Sequence, residues 1–268
     1  MEGNILKMRT VLANPVKYFL PVGEKEIDMN ALIGKKIKMQ FNGQINCISC
    51  GKITKTSYNQ GFCYNCLRTA PEADDSVVHP ELSRAQFGIA RDMKWAQQHD
   101  LIDHIVYLAV TSDLKIGVTR YHQVPTRWID QGASSAIKVA KTPNRHIAGI
   151  IEMFFKKYYT DRTNWKNMLE NETAPVINLL NEKNKAVQLL PAELKKYYCE
   201  DDEIITIKYP VNSLPEKLKN ISFDKNRLIE GVLTGIKGQY LIFDDGTALN
   251  IRKHNGYFLN IEYQHNQS

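Results

Sequence analysis

The sequence predicts an α+β protein, and three observations predict it. Short β-like runs punctuated by glycine and proline occupy both ends of the chain. Four cysteines fall in two Cys-x2-Cys pairs ahead of the middle. From residue 104 to 172 the apolar period alternates between two and 3.6, in the order strand, strand, helix, strand, helix. The 268 residues, 43% of them hydrophobic, suffice for about two domains with a real core.

Residues 1–45 form an N-terminal β segment. Tyr18-Phe19-Leu20 and Ile37 to Phe41 are strand-like, with Pro21, Gly23, Gly34 and Gly43 as turns. Lys38 and Gln40 alternate with Ile37, Met39 and Phe41, so that run buries one face. Residues 46–70 hold Cys47, Cys50, Cys63 and Cys66, the pairs twelve residues apart. A two-residue spacer lets two thiolates reach one tetrahedral ion, which predicts a zinc ribbon. Its Zn²⁺ is structural, because four thiolates leave no position for water. Gly51 suits the tight turn of such a knuckle.

Charge is uneven here. From Met29 to Pro71 there is no Asp or Glu, while Lys35, Lys36, Lys38, Lys52, Lys55 and Arg68 all fall in that stretch. Even with a doubly negative Zn²⁺-thiolate site the segment stays near +4. Such a surface attracts phosphate; the alternative is solvated lysines that blunt strand edges. Tyr58, Phe62 and Tyr64 interleave with Lys52 and Lys55, a pattern for stacking on unpaired bases or for the ribbon's own small core.

Residues 71–103 are a linker and lead-in. Pro71 to Pro80 is acidic and weakly apolar, hence a linker, whereas Phe87, Met93 and Trp95 read as packing residues. With no cysteine from Glu72 to Asp103, a second metal site built from His79 and His99 is not expected.

The core, 104–172, opens with a hairpin of Ile105–Val110 and Leu114–Thr119 around Thr111-Ser112-Asp113. Gly117 lies inside the second strand, where a missing side chain lets another group come close. Pro125 starts a short helix through Arg127-Trp128-Ile129 that stops at Gly132. Ala136–Ala140 is a third strand. Asn144 caps a longer helix with Ile147, Ile151, Phe154 and Tyr158 on one face and Glu152 at its rim. A further helix over 161–169 takes Thr163 as its cap.

Residues 173–226 connect: two helical pieces over Ala174–Tyr198 broken by Pro191, a strand over Ile204–Tyr209, and a turn over Pro210–Pro215. Cys199 is a free thiol. Residues 227–268 carry Asp245-Gly246 and Asn255-Gly256, strong hairpin signals. They predict a three-stranded meander of Gln239–Phe243, Thr247–Lys253 and Tyr257–Tyr263. The exposed rows of that meander need cover, so the N- and C-terminal β segments are expected to form one composite β module.

Two resemblances follow from these residues. The order Tyr107, Lys115-Ile116-Gly117, Arg127, Glu152 resembles the GIY-YIG nuclease domain. More closely, YLAVTSDLKIGVTR, TRWIDQGA and DRTNWKNML resemble an uncharacterised bacterial family, domain of unknown function 2797, over nearly the whole chain. Its members carry a zinc ribbon before this core and a β-rich tail after it. Many also place further cysteines between ribbon and core, which this chain lacks.

The GIY-YIG resemblance implies a small mixed sheet with flanking helices. It also implies Mg²⁺- or Mn²⁺-dependent cleavage of DNA or RNA, with Glu152 as the metal ligand, Tyr107 near the attacking water and Arg127 at the phosphoryl oxygens. Lys115 joins this catalytic set, standing where the second motif tyrosine would be, and Ile105-Val106-Tyr107 replaces Gly-Ile-Tyr. Gly117, Arg120 and His122, with Lys52 and Lys55 of the ribbon, are the expected substrate contacts. His104 and His122 are candidate proton carriers.

Three other readings stay open: a salt bridge between Arg127 and Glu152, a solvated Lys115, and a nucleic-acid or ribonucleoprotein module that binds without cutting. A scaffold that contacts protein through its β module is a weaker one, and protein partners are not specified.

No apolar run of about 18 residues suggests a membrane span. MEGNILKMRT lacks a signal-peptide core. A cytoplasmic protein is therefore expected, in which clustered cysteines hold metal rather than form disulfides. The net charge of +6 is compatible with a polyanion partner.

Overall fold

In the computed structural model, residues 1–170 and 177–263 are described. They divide into two compact units, Met1–Arg68 with Lys208–Ser268, and Thr69–Ile207. The predicted helical start at Ala174 and the extreme C-terminus lie outside the described residues.

In the first unit both ends of the chain enter one eight-stranded sheet, ordered Glu2–Asn4, Tyr257–Tyr263, Lys36–Asn46, Leu228–Lys237, Tyr240–Phe243, Thr247–Asn250 and Lys219–Ile221, with Ile53–Thr54 paired to Lys36–Asn46. The alternation at its centre is real, with Ile37, Met39, Phe41 and Ile45 buried. Arg9–Val11, Lys17–Val22 and Lys25–Asp28 make a separate antiparallel sheet.

The predicted C-terminal meander needs correction. Tyr240–Phe243 and Thr247–Asn250 pair around Asp245-Gly246, but Tyr257–Tyr263 pairs with Lys36–Asn46 and Glu2–Asn4 instead. The strand beginning at Thr247 stops at Asn250, and Asn250 caps a 3-10 turn over Ile251–His254 that buries Ile251 and His254. Gly256, at φ +83°, then passes so close to the strand that a Cβ would lie 2.1 Å from Asn46 O. The Asn-Gly pair serves that close approach rather than a hairpin.

The second unit is built on a four-stranded sheet in the order Ile205–Thr206, Ser135–Thr142, His104–Val110, Leu114–Arg120. All three pairings are antiparallel, so the expected mixed sheet is not found. Of the strand expected over Ile204–Tyr209, two residues pair. Val106, Leu108 and Ile116 face Ala148, Ile151 and Phe155 of the Arg145–Phe155 helix in the main core. Asn144 caps that helix, its Oδ1 accepting from the Ile147 N–H at 3.0 Å. The helix ends before Tyr158, which is 52% exposed. The next helix, Trp165–Glu170, is capped by Asn164 rather than Thr163, with Oδ1 accepting from Lys166 N–H and Asn167 N–H.

Pro71 to Pro80 is not a linker. It forms successive 3-10 turns that bury Ala73, Ser76 and Pro80, the last of which, Pro80–Leu82, lies against the Arg145–Phe155 helix. His146 Nδ1 donates to Glu81 O at 2.9 Å, and a Cβ on Gly149 would meet Glu81 N at 2.1 Å. Three acids made the stretch look solvated, yet its backbone is the part that packs. Phe87, expected inside, is 71% exposed.

Candidate functional site

The cysteine cluster is built by local turns. Gly51, at φ +71°, lets its N–H donate to Cys47 O at 2.8 Å, and the Cys66 N–H donates to Cys63 Sγ at 3.4 Å. The four Sγ atoms all lie within 4.8 Å of one another, and Cys50 and Cys63 are 3.9 Å apart. A tetrahedral zinc with Zn–S of about 2.3 Å needs sulfurs about 3.8 Å apart. The cluster therefore fits a zinc site. Among the described residues no other group of three or more His, Cys, Asp or Glu is close enough to hold a metal. Phe62 is buried, while Tyr58 and Tyr64 are exposed with ring centroids 5.8 Å apart. Lys52 and Lys55 are exposed in the same unit.

The second unit holds a cleft of about 460 Å³ beside the outer strand of its sheet, lined by Tyr107, Lys115, Gly117, Arg127 and Glu152 together. Residues alternate faces along a strand, so Tyr107 and Lys115 point away from the face that carries Val106, Leu108 and Ile116. Tyr107 sits opposite Gly117 and Lys115 opposite Ala109. A Cβ on Gly117 would lie 2.6 Å from Tyr107 Oη, so the tyrosine crosses the second strand only because that position is glycine. Behind it Trp128 packs at 5.7 Å between centroids. Gln131 joins the other two: with its amide oxygen toward the guanidinium it accepts from Arg127 Nε at 2.9 Å and Nη2 at 3.1 Å, while its nitrogen meets Tyr107 Oη at 3.0 Å.

Glu152 arrives from the Arg145–Phe155 helix. It is 8% exposed, and it lies 3.8 Å from Lys156, which in turn pairs with Asp161 at 3.2 Å. Among the described residues it makes no ion pair with Arg127, so the two are not a plain salt bridge. Burial pushes the Glu152 carboxyl above its ordinary range, against Lys156 and helped by the Asp161 and Glu81 carboxylates. Burial raises the Tyr107 phenol as well, against Arg127 and Gln131.

Lys115 is not solvated. It is 6% exposed, and its amine donates to Thr163 Oγ1 at 3.4 Å. Burial, then repulsion from Arg127, lowers it to about 8, with Glu152 and Asp161 pulling the other way.

That depression has a stability sign. Below about 8 Lys115 is charged in both folded and unfolded chains, and the folded state carries the cost; above 10.5 it is neutral in both. Wild-type stability thus rises with pH between those values. Lys115→Met is expected to stabilise the protein by roughly 3 kcal/mol near neutral pH. In denaturant titrations this gain should shrink as pH climbs from 8 toward 10.5; a gain that did not change with pH would contradict the assignment.

Two expected contacts, Arg120 and His122, and the candidate proton carrier His104 do not line the cleft. Arg120 and His104 face each other at the opposite end of the hairpin, and His122 is exposed on the 3-10 turn Tyr121–Gln123. Nor is His104 a proton carrier. It is 1% exposed, donates from Nδ1 to Ile102 O at 2.8 Å, and burial lowers it to about 4, so it stays neutral.

The cleft instead recruits His79, Gln131, Lys156, Asp161 and Arg162. His79 was hidden because its segment reads as linker. Lys156, one turn after Glu152 at the end of the helix, was signalled by i, i+4 spacing alone.

Among the described residues no helix is long and apolar enough to cross a membrane. Comparison with curated proteins and with solved structures returned no match. Residues 34–259 match the model of a family described as protein of unknown function DUF2797, and the chain belongs to that family.

Proposed function

We propose that the cleft binds and cleaves phosphodiester bonds of nucleic acid in the manner of the GIY-YIG nucleases, and that the four cysteines hold a structural Zn²⁺. One observation carries the first part: Tyr107, Lys115, Arg127 and Glu152, spread over 46 sequence positions, converge on one cleft. Arg127 is held side-on by Gln131, which leaves the rest of its fork for phosphoryl oxygens. Tyr107 is oriented by the same amide, and its hydroxyl can align an attacking water. Glu152, buried near other carboxylates, gains from a neighbouring cation. Its donor type fits a hard divalent ion that keeps most of its waters, and Glu152 with Asp161 would hold one. Mg²⁺ or Mn²⁺ bound there supplies polarisation of the phosphate. Lys156, beside both carboxylates, offsets part of their charge. The ribbon's Lys52, Lys55 and exposed Tyr64 support a separate hold on a strand.

Binding without cleavage is a second reading, favoured by Lys115 in place of a second tyrosine. The test incubates zinc-loaded protein with single- and double-stranded DNA and RNA in Mg²⁺ or Mn²⁺. Glu152→Ala and Arg127→Ala should each reduce metal-dependent cleavage at least about 100-fold while binding persists. Salt-sensitive binding with no cleavage by wild type would select the second reading.

A further inference from the structure

Lys115 is an unusual way to meet a phosphate. A lysine that serves only as a cation gains from exposure and full basicity; this one lies almost wholly out of solvent on the cleft wall. Among the described residues it makes no ion pair, and the side chain that bonds its amine is a threonine hydroxyl. Arg127 lines the same cleft and repels its charge. Desolvation beside a second cation is the setting in which a lysine becomes an amine nucleophile toward carbonyl carbon. With a value of about 8, roughly a quarter of the side chains carry a free amine at pH 7.5, against about one in a thousand for an ordinary lysine.

We propose that Lys115 forms an imine with the aldehyde of an abasic sugar in a nucleic-acid strand, and that the cleft then breaks the strand by β-elimination without added Mg²⁺. This rests on the reading of the cleft as a phosphodiester site. That reading also selects the carbonyl: Arg127 recognises a phosphate, and an aldehyde flanked by phosphates arises in a strand where a base has been lost.

The steps balance. The Lys115 nitrogen attacks C1′ of the ring-opened sugar, and the carbonyl oxygen leaves as water. The protonated imine draws electrons from C2′, whose proton passes to the Glu152 carboxylate. The C3′–O bond breaks, and the 3′ phosphate leaves with the electron pair, its charge met by Arg127. Water hydrolyses the imine, releasing an unsaturated aldehyde and restoring the amine. No oxidant or reductant is required.

The test uses the full zinc-loaded chain without added Mg²⁺ or Mn²⁺, an oligonucleotide with one abasic site, and borohydride to reduce any imine. Expected is one covalent adduct per chain, mapped by peptide mass spectrometry to Lys115, with at least a 100-fold loss in Lys115→Met. That variant is expected to melt higher than wild type, so unfolding would not explain the loss. No adduct, or an adduct mapped to another lysine or to the Met1 amine, overturns the proposal. The two readings fail separately. Metal-dependent cutting of intact strands without an adduct removes the imine chemistry alone; an adduct without such cutting removes hydrolysis and keeps Lys115.

Discussion

Cys66→Ser is expected to lower bound zinc from about one equivalent per chain to near none, and to unfold the ribbon. Serine keeps the size of the side chain but not the thiolate, and three remaining sulfurs hold the ion far more weakly. Little else supports this segment. Its regular structure is the two-residue strand Ile53–Thr54 and the helix Tyr64–Thr69, and Phe62 is its one buried aromatic. Backbone order of that extent does not offset the conformational entropy of about twenty residues. Zinc modules draw on the order of 10 kcal/mol from the ion, so its loss should expose the ribbon first. The Lys36–Asn46 strand has partners on both sides and should persist. Elemental analysis beside limited proteolysis checks both parts. Full zinc retention in Cys66→Ser, or in the matching Cys47→Ser, would remove the cluster from the list of metal sites.

Arg145→Met is expected to destabilise the second unit by about 3–5 kcal/mol, because it strands a carboxylate out of water. Arg145 Nε donates to Asp100 Oδ1 at 2.6 Å, with the two side chains 9% and 5% exposed. Ser83 Oγ donates to the other Asp100 oxygen at 3.3 Å. The arginine also reaches the 3-10 strap through Ser76 O at 3.4 Å. Removing it releases the strap and the helix start at once. The double variant Arg145→Met with Asp100→Leu should recover much of the loss, since neither charge of the pair then remains buried. Urea titration of the single and double variants is the measurement. If both fall equally, the ion pair is not the cause and the strap contact is. The strap carries Val78, His79 and Pro80 of the cleft, so under the proposed function any cleavage should fall further in Arg145→Met than unfolding alone explains.

The parts legible in the sequence are those whose physics is local. Cys47, Cys50, Cys63 and Cys66 could be read as one cluster fit for a metal because spacing and residue type suffice. The hairpin at residues 104–120, the Asn144 cap and the strand at Ile37–Phe41 follow from period and capping. Gly117 invited a close approach, and Tyr107 Oη is the group that comes close.

What tertiary structure decided lies where one backbone meets another far away in sequence. Gly149, inside a helix, reads as a weak helix former; its true constraint is Glu81, packed where a side chain would stand. The Asn255-Gly256 pair has hairpin chemistry, yet Asn46 across the sheet determines its use. For Lys115 the sequence left a solvated charge on an edge strand open beside the catalytic reading. Only the fold shows that the Thr160–Thr163 stretch covers that edge, with Ile116 N–H donating to Thr160 O at 2.9 Å and Thr163 on the amine. A linear pattern records which residues are apolar; it does not record which polar ones a neighbouring chain segment will bury, and burial is what lowers the Lys115 amine and raises the Glu152 carboxyl.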